Sequence, residues 1–361
     1  MRVAVLSWRY LGHPQAGGAE ILAHEVLRRS VDAGWEVTVF TASHPGAPAR
    51  DELDGVRILR RGVQHTVHAQ AWRWLHTRLD RFDRVVEIIN TLPFLTPLYV
   101  PREKRRLMIH QLAREYWFRE TRGLFKLGAP VGYALEPWYL RLYRRTPTIT
   151  ISESSRADLE ALGIPVTAVL PLGLLTPADE ALGSRDNGLR LVILGRLTPA
   201  KFVEEAVEAF GILQQAVPDA SLDVIGDGDP RYRRRLERLV ADRRLQRVTF
   251  HGRVEEARKR ELLAEARFHV FASRREGWGL TVSEAASVGT PTVGYDSPGV
   301  RDSIADARLL AAERSPRALA ERMLALHRDP AGYEDARTAA WKRARSLDWG
   351  RTAEVFMAAV E

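Results

Sequence analysis

The sequence predicts an α/β protein built from two doubly wound parallel-sheet domains in tandem. Three observations carry this expectation. Short apolar strand-like runs alternate with helical runs. The alternation breaks at a loop-rich stretch near the middle and then restarts. The chain has 361 residues, more than one hydrophobic core usually organises.

In the first half, RVAVLS (2–7) reads as a buried parallel strand. AEILAHEVLRRSVDAG (19–34) has apolar residues at 3–4 spacing and a terminal glycine stop, so it reads as a helix. EVTVFTA (36–42), RVVEII (84–89), RLMIH (106–110), TITIS (147–151) and VTAVLP (166–171) continue the strand series. LGLLTPADEALGSRDN has the composition of a linker. In the second half, RLVILG (190–195) leads into the helix VEEAVEAFGILQQA (203–216), and SLDVIG (221–226) into PRYRRRLERLVADRR. RVTFHG (247–252) leads into EEARKRELLAEA, and RFHVFAS (267–273) into EGWGLTVSEAASVGT, closed by TPTVGYD (290–296). Beyond Ser315 the chain reads as helical nearly to its end. The expected organisation is a first domain over 1–172, a linker over 173–188, a second domain over 189–346 and a closing helix over 347–361. There is no low-complexity segment and no sequence-level repeat.

Composition narrows the function classes. Hydrophobic residues make up 45% of the chain, and no run reaches a membrane span of about 18 apolar residues. MRVAVLSWRY lacks the layout of a secretory signal. With no cysteine, disulfides and thiolate metal sites are excluded. These features predict a cytoplasmic protein. The formal charge is +8, and most of the surplus lies in one segment. Residues 100–146 hold eleven Lys/Arg against four Asp/Glu, interleaved with Tyr116, Trp117, Phe118, Phe125, Tyr133, Trp138, Tyr139 and Tyr143. Such a tract suits an anionic membrane surface, a nucleic acid or a phosphorylated ligand, and equally a solvated basic face.

Ligands of open parallel sheets bind at the carboxyl ends of the strands, so the loops there carry the chemistry. Gly17-Gly18-Ala19-Glu20 opens the first helix. Paired glycines admit a close backbone approach to an anion, or simply tight packing, and Glu20 suits a first helical turn. Gly195-Arg196 and Lys201 place two cations at the end of a strand, a pairing that suits a diphosphate. Asp227-Gly228-Asp229 has the spacing of a divalent-metal ligand pair, but Pro230 and the following helix explain it as turn and cap chemistry. No metal is expected. Glu276 ends a strand. Gly277 and Gly279 keep the turn open, and Thr281-Val-Ser-Glu284 has the pattern of a capping box. His110 ends the strand RLMIH, and Asn90, Thr91 and Gln111 lie on neighbouring loops.

Together these residues resemble the retaining glycosyltransferases of family 4 (glycosyl transferases group 1). GGAE (17–20), GRLTPAK (195–201), VIGDGDP (224–230), VTFHGRV (248–254) and the E-x7-E stretch from Glu276 to Glu284 stand in the family's order and spacing. The resemblance implies the GT-B fold, two Rossmann-like doubly wound domains facing a central cleft. It implies transfer of a sugar from a nucleoside-diphosphate donor to a glycan, lipid-linked or natural-product acceptor, with the anomeric configuration kept and no metal or other cofactor.

Carried over residue by residue, Arg196 and Lys201 neutralise the diphosphate and Glu284 binds the ribose hydroxyls. Glu276 binds the donor sugar, with Gly277, Trp278 and Gly279 touching sugar and phosphate. Gly17, Gly18, Gly226, Val254 and Leu280 complete the donor-facing surface. His110 stands near the transferred sugar, and Asp302 matches a family acid after a Gly-Val pair. Glu20, Asn90 and Gln111 are candidates for meeting the acceptor. The catalytic set is thus His110, Arg196, Lys201 and Glu276. Two departures stand out: Phe202 where the family often has glycine, and Trp278 where it more often has phenylalanine. The expected location is cytoplasmic, peripheral to the inner face of a membrane through residues 100–146. Surface-polysaccharide biosynthesis is the expected setting. Two other readings of the same residues are a nucleotide-sugar epimerase on this scaffold and a basic nucleic-acid-binding protein.

Overall fold

A computed structural model describes residues 1–114, 116–119, 128–183 and 188–361 of the chain. Residues 184–187 of the expected linker lie outside that description. So do residues 115 and 120–127 of the basic aromatic segment, Phe125 among them. The chain divides into two units, Met1–Gly173 with Asp348–Glu361, and Leu174–Leu347.

The first unit begins with β1 (Arg2–Leu6), α1 (Gly18–Asp32), β2 (Glu36–Thr41), β3 (Arg50–Leu53), β4 (Val56–Arg60) and α2 (Val67–His76). β5 (Arg84–Ile89), β6 (Arg105–Ile109), α3 (Tyr116–Arg119), α4 (Ala129–Leu140), β7 (Thr148–Thr150), α5 (Glu153–Glu160) and β8 (Val166–Val169) follow. Its eight strands lie in the order β3-β4-β2-β1-β5-β6-β7-β8. All pairs are parallel except β3 with β4. The antiparallel edge departs from the all-parallel expectation. Its turn is Asp54-Gly55, both with positive φ (47° and 75°), the backbone a two-residue hairpin demands. The central strands are apolar on both faces because helices cover both sides. Val3, Val5, Leu6, Val85, Val86, Leu107 and Met108 are all fully buried.

The second unit comprises β9 (Arg190–Leu194), α6 (Val203–Ala216), β10 (Ser221–Ile225), α7 (Pro230–Asp242), β11 (Val248–Gly252), α8 (Glu256–Glu265) and β12 (Phe268–Phe271). α9 (Leu280–Ser287), β13 (Thr292–Tyr295), α10 (Val300–Ile304), β14 (Leu310–Ala311), α11 (Pro316–His327) and α12 (Pro330–Arg345) complete it. Its parallel sheet runs β11-β10-β9-β12-β13-β14. Several helix starts are written in the sequence. Asp229, Ser315 and Asp329 each accept a first-turn N–H, with proline next in line. One core runs from Leu189 to Ala336 through Phe210, Phe268 and Tyr295.

The last helix, α13 (Trp349–Val360), belongs to the first unit. Asp348 caps it by accepting from the Arg351 N–H at 2.7 Å. Trp349, Phe356 and Val360 are buried. Thr352 donates to the Pro171 carbonyl, and Arg84 reaches the carbonyl of Val360 at 3.0 Å.

Candidate active site

In the first unit, β1, β5 and β6 are neighbours in the sheet, so the loops leaving their carboxyl ends lie side by side. Those loops carry Gly17-Gly18, Asn90, and His110-Gln111. Gly17 is the N-cap of α1, in extended backbone, and its N–H donates to Glu20 Oε2 at 2.7 Å. The Glu20 carboxylate is 2% exposed. It also pairs with Arg9 at 3.1 Å and accepts from Asn90 Nδ2 at 3.3 Å. Three of the expected residues thus form one cluster, in which Glu20 holds Gly17 and Asn90 in place.

His110 follows β6 and is buried. Neither ring nitrogen has a hydrogen-bond partner among the described residues. Burial pushes its pKa down to about 4, so the imidazole is neutral near pH 7. Its main-chain carbonyl is fixed by the Ser155 hydroxyl at 2.8 Å. Gln111 Oε1 next to it is likewise buried without a partner. A neutral, desolvated imidazole beside an amide oxygen can donate to or accept from a sugar hydroxyl without first breaking a protein contact.

The loops of the second unit gather at the carboxyl edge of its parallel sheet in the same way. Gly195 follows β9 at φ 142° and Gly226 follows β10 at φ 129°. A Cβ on Gly226 would meet the Gly195 carbonyl oxygen at 1.9 Å, so only glycine fits where these two loops touch. A small cleft opens there, lined by Gly195, Arg196, Lys201, Phe271 and Ser273. Arg196 is exposed at its mouth. Lys201 forms an ion pair with Glu276, whose side chain is 9% exposed, and stands 5.6 Å from the centre of the Phe271 ring.

The stretch from Glu276 to Glu284 is built from main-chain contacts. Glu276 N–H donates to the Pro298 carbonyl at 3.1 Å. Gly299 packs so tightly on the Glu276 carbonyl that a Cβ would lie 1.9 Å from its oxygen. Asp302 accepts from the Gly299 N–H at 3.1 Å and thereby fixes that turn. Gly279, at φ 98°, is the N-cap of α9, and Leu280 is its first residue. This corrects the capping-box expectation. Thr281 lies inside the helix, its hydroxyl buried without a partner, and Glu284 does not reach back. The Glu284 carboxylate pairs instead with Lys259 of α8 at 3.0 Å. Burial raises the Glu284 pKa above the usual carboxylate value, with Lys259 opposing the shift.

Trp278 is buried, donates to the Ser283 hydroxyl at 3.0 Å and lies 5.4 Å under the Arg343 guanidinium. Val254 packs against the small cluster under α8 and α9. Asp227 and Asp229 are engaged in turn and cap bonds to the N–H groups of Gly228 and Arg231, both within 2.9 Å. Among the described residues no group of three or more His, Asp or Glu is placed to hold a metal ion.

Two residues at this edge carried no sequence signal. Lys259 is one cation in a charged helical run, and Ser273 is a small polar residue two positions after β12. Ser273 Oγ is buried without a partner on the wall of the cleft.

Comparison with known proteins bears on the fold. The fold matches that of sucrose-phosphate synthase from Thermosynechococcus elongatus, with TM-score 0.75, 18% identity and coverage of 99% of this chain and 97% of that one. Anabaena HepE in complex with UDP and glucose gives TM-score 0.70 at 17% identity, covering 99% and 98%. Fold and site together define a GT-B protein. Residues 177–345 match the family model described as glycosyl transferases group 1. It is 26% identical over 230 residues to a D-inositol 3-phosphate glycosyltransferase of Jonesia denitrificans, covering 59% of this chain and 53% of that protein. The chain spans about half the length of several curated relatives it matches.

Proposed function

We propose that the protein is a retaining glycosyltransferase. It moves a sugar from a nucleoside-diphosphate donor to a hydroxyl of a glycan, lipid-linked or natural-product acceptor. The observation that carries this reading is the cleft at the end of β9, where Arg196 and Lys201 share a wall with Glu276 close at hand. A structural neighbour of this fold was crystallised with UDP and glucose, which favours a nucleotide-sugar ligand here too.

In the proposed reaction the bond between the sugar's anomeric carbon and the diphosphate oxygen breaks, and its electron pair leaves with the diphosphate. The new bond to the acceptor oxygen forms on the same face, and the departing phosphate takes the acceptor's proton. Negative charge grows on the diphosphate, where Arg196, Lys201 and the first turn of α9 offset it. These groups supply the positive charge a metal would otherwise bring, so the reading requires none. The donor competes with Glu276 for Lys201, which frees the carboxylate to accept from sugar hydroxyls. Glu284 would receive the ribose hydroxyls, and His110 would face the transferred sugar as a neutral ring. The working location is cytoplasmic, at the inner face of an anionic membrane through residues 100–146. No helix among the described residues is long and apolar enough to cross a membrane.

The test is a thermal-shift screen with UDP-, GDP-, ADP- and TDP-sugars, followed by transfer assays on the productive donor. One series should stabilise the wild type and not the Arg196→Ala/Lys201→Ala double variant, whose transfer rate should fall by about 10²–10³ or more. Transfer by the double variant at the wild-type rate would sink the assignment. Conversion of the donor's sugar with no acceptor present would mark an epimerase instead.

A further inference from the structure

We propose that α4 and the turn after it form the face on which the protein docks to an anionic lipid surface. This rests on the membrane contact proposed above and narrows it to one helix. A surface helix ordinarily turns its apolar stripe inward. In α4 most of the large apolar residues other than Leu140 point outward: Val131 is 58% exposed, Leu135 51% and Trp138 65%, and Leu142 in the following turn is 43% exposed. Their spacing of four, three and four residues puts them on a single stripe. Tyr133, two residues from Val131 and so on another side of the helix, is in ring contact with Phe118 at 5.4 Å, and both are exposed.

The inward face holds Ala129, Leu140 and, unusually, Glu136. Its carboxylate accepts the N–H groups of Ala113 at 2.6 Å and Arg114 at 2.9 Å. The one acid of the helix is therefore turned away from the exposed stripe. Around the stripe stand exposed arginines. Arg141 lies over the Trp138 ring at 4.5 Å, Arg144 and Arg145 follow it, and Arg102 donates to the Arg145 carbonyl at 3.1 Å. Aliphatic and indole side chains with a fringe of guanidinium groups match the boundary between acyl chains and anionic headgroups.

A second copy of the chain fits less well, because a two-fold contact would bring these arginines against one another. Nucleic acid would leave Val131, Leu135 and Leu142 without a function. Docking would also place the candidate acceptor loop near the lipid. The Tyr139 hydroxyl of α4 donates to the Thr91 carbonyl at 2.9 Å, beside Asn90, and Leu92 and Leu98 nearby are also exposed.

The experiment is co-sedimentation of the full chain with vesicles of phosphatidylglycerol and phosphatidylcholine, compared with phosphatidylcholine alone, at low and high salt. The wild type is compared with Leu135→Glu/Trp138→Glu, whose altered residues are exposed, and the calorimetric unfolding transition of the first unit, without donor, reports an intact fold. Wild type should favour the anionic vesicles and lose binding as salt rises, and the variant should bind about tenfold more weakly or worse. Equal binding by wild type and variant would overturn the α4 face while leaving the broader membrane contact standing. Absence of wild-type binding at low salt would overturn both. A wild-type dimer that the variant dissociates, with no vesicle binding, would reassign the stripe to self-association. Each result is independent of the donor shift, which tests the transferase reading separately.

Discussion

Phe202 is held at φ 51°, in the left-handed region where glycine is at home and where the resembled family often carries it. For a residue with a Cβ that backbone costs on the order of 1–2 kcal/mol. The ring is nevertheless buried, and the Arg274 guanidinium lies 4.4 Å above it. Truncating a buried phenylalanine costs about 3–5 kcal/mol, so packing outweighs strain. Phe202→Gly should therefore destabilise the protein, yet by about 1 kcal/mol less than Phe202→Ala, which keeps the backbone penalty. Urea unfolding of the two variants measures the difference, and equal losses would show the position unstrained. Glu284 makes a pH prediction. Its pKa is raised by burial, so on acidification it protonates before an ordinary carboxylate does. If the ionised form receives donor hydroxyls, donor affinity should fall as pH drops through that raised value, and Glu284→Gln should bind weakly with no such fall. His110 stays neutral down to about pH 4 and leaves that window clear. Calorimetric titration against pH decides, and an unchanged profile in the Gln variant would remove Glu284 from the site. Arg196 was legible because a charge just after an apolar strand lies at the sheet's carboxyl edge, and Lys201 and Glu276 stand further along the loops that leave β9 and β12. Lys259 was not, since helical charge runs are common. The cap of α9 was misplaced because nothing in the sequence reveals the positive φ of Gly279.

At the scale of elements, period and alternation revealed the parallel strands and most helices, because a buried parallel strand must be apolar throughout. The β3–β4 hairpin went unseen. β3 reads RDEL and is exposed along its whole length, so it carries no apolar signal, although Asp54-Gly55 is a strong turn pair. β14 spans two residues, too few for any pattern. The hairpin matters to the site through a relay. Asp54 accepts from His24 Nε2 at 2.8 Å, and the Tyr10 hydroxyl donates to His24 Nδ1 at 2.8 Å. Tyr10 lies in the loop that runs from β1 to Gly17, so a surface turn steadies a loop that carries site residues. Gly55 has φ 75°, and a Cβ there would stand 2.7 Å from Val31 Cγ1 of α1. Gly55→Ala should cost about 1–3 kcal/mol through backbone strain and overpacking together. Thermal unfolding checks this, and a variant as stable as wild type would show that the turn can re-form in another type.

For the whole molecule, the division of the chain makes an asymmetric prediction. The second unit keeps its own core between Leu189 and Ala336 and owes nothing in it to α13. The first unit depends on α13. Trp349, Phe356 and Val360 are each at most 5% exposed, and their burial is worth roughly 5–9 kcal/mol. That is comparable with the whole stability of a typical domain, about 5–15 kcal/mol. Gly173 fits so closely against Trp349 that a Cβ there would lie 2.3 Å from the indole, so only glycine fits beside this side chain. Deleting residues 348–361 should therefore unfold the first unit, or lower its transition far below that of the second, while the second unit still unfolds cooperatively. The groups proposed to hold the donor, Arg196, Lys201, Glu276 and Glu284, all lie in the second unit. The truncated chain should then keep a measurable thermal shift with the productive nucleotide sugar while losing transfer activity, which needs the loops after β1, β5 and β6. Calorimetry of both chains with and without donor separates the outcomes. Loss of the donor shift together with the second unit's transition would mean that the units are not independent and that the last helix supports the donor site itself.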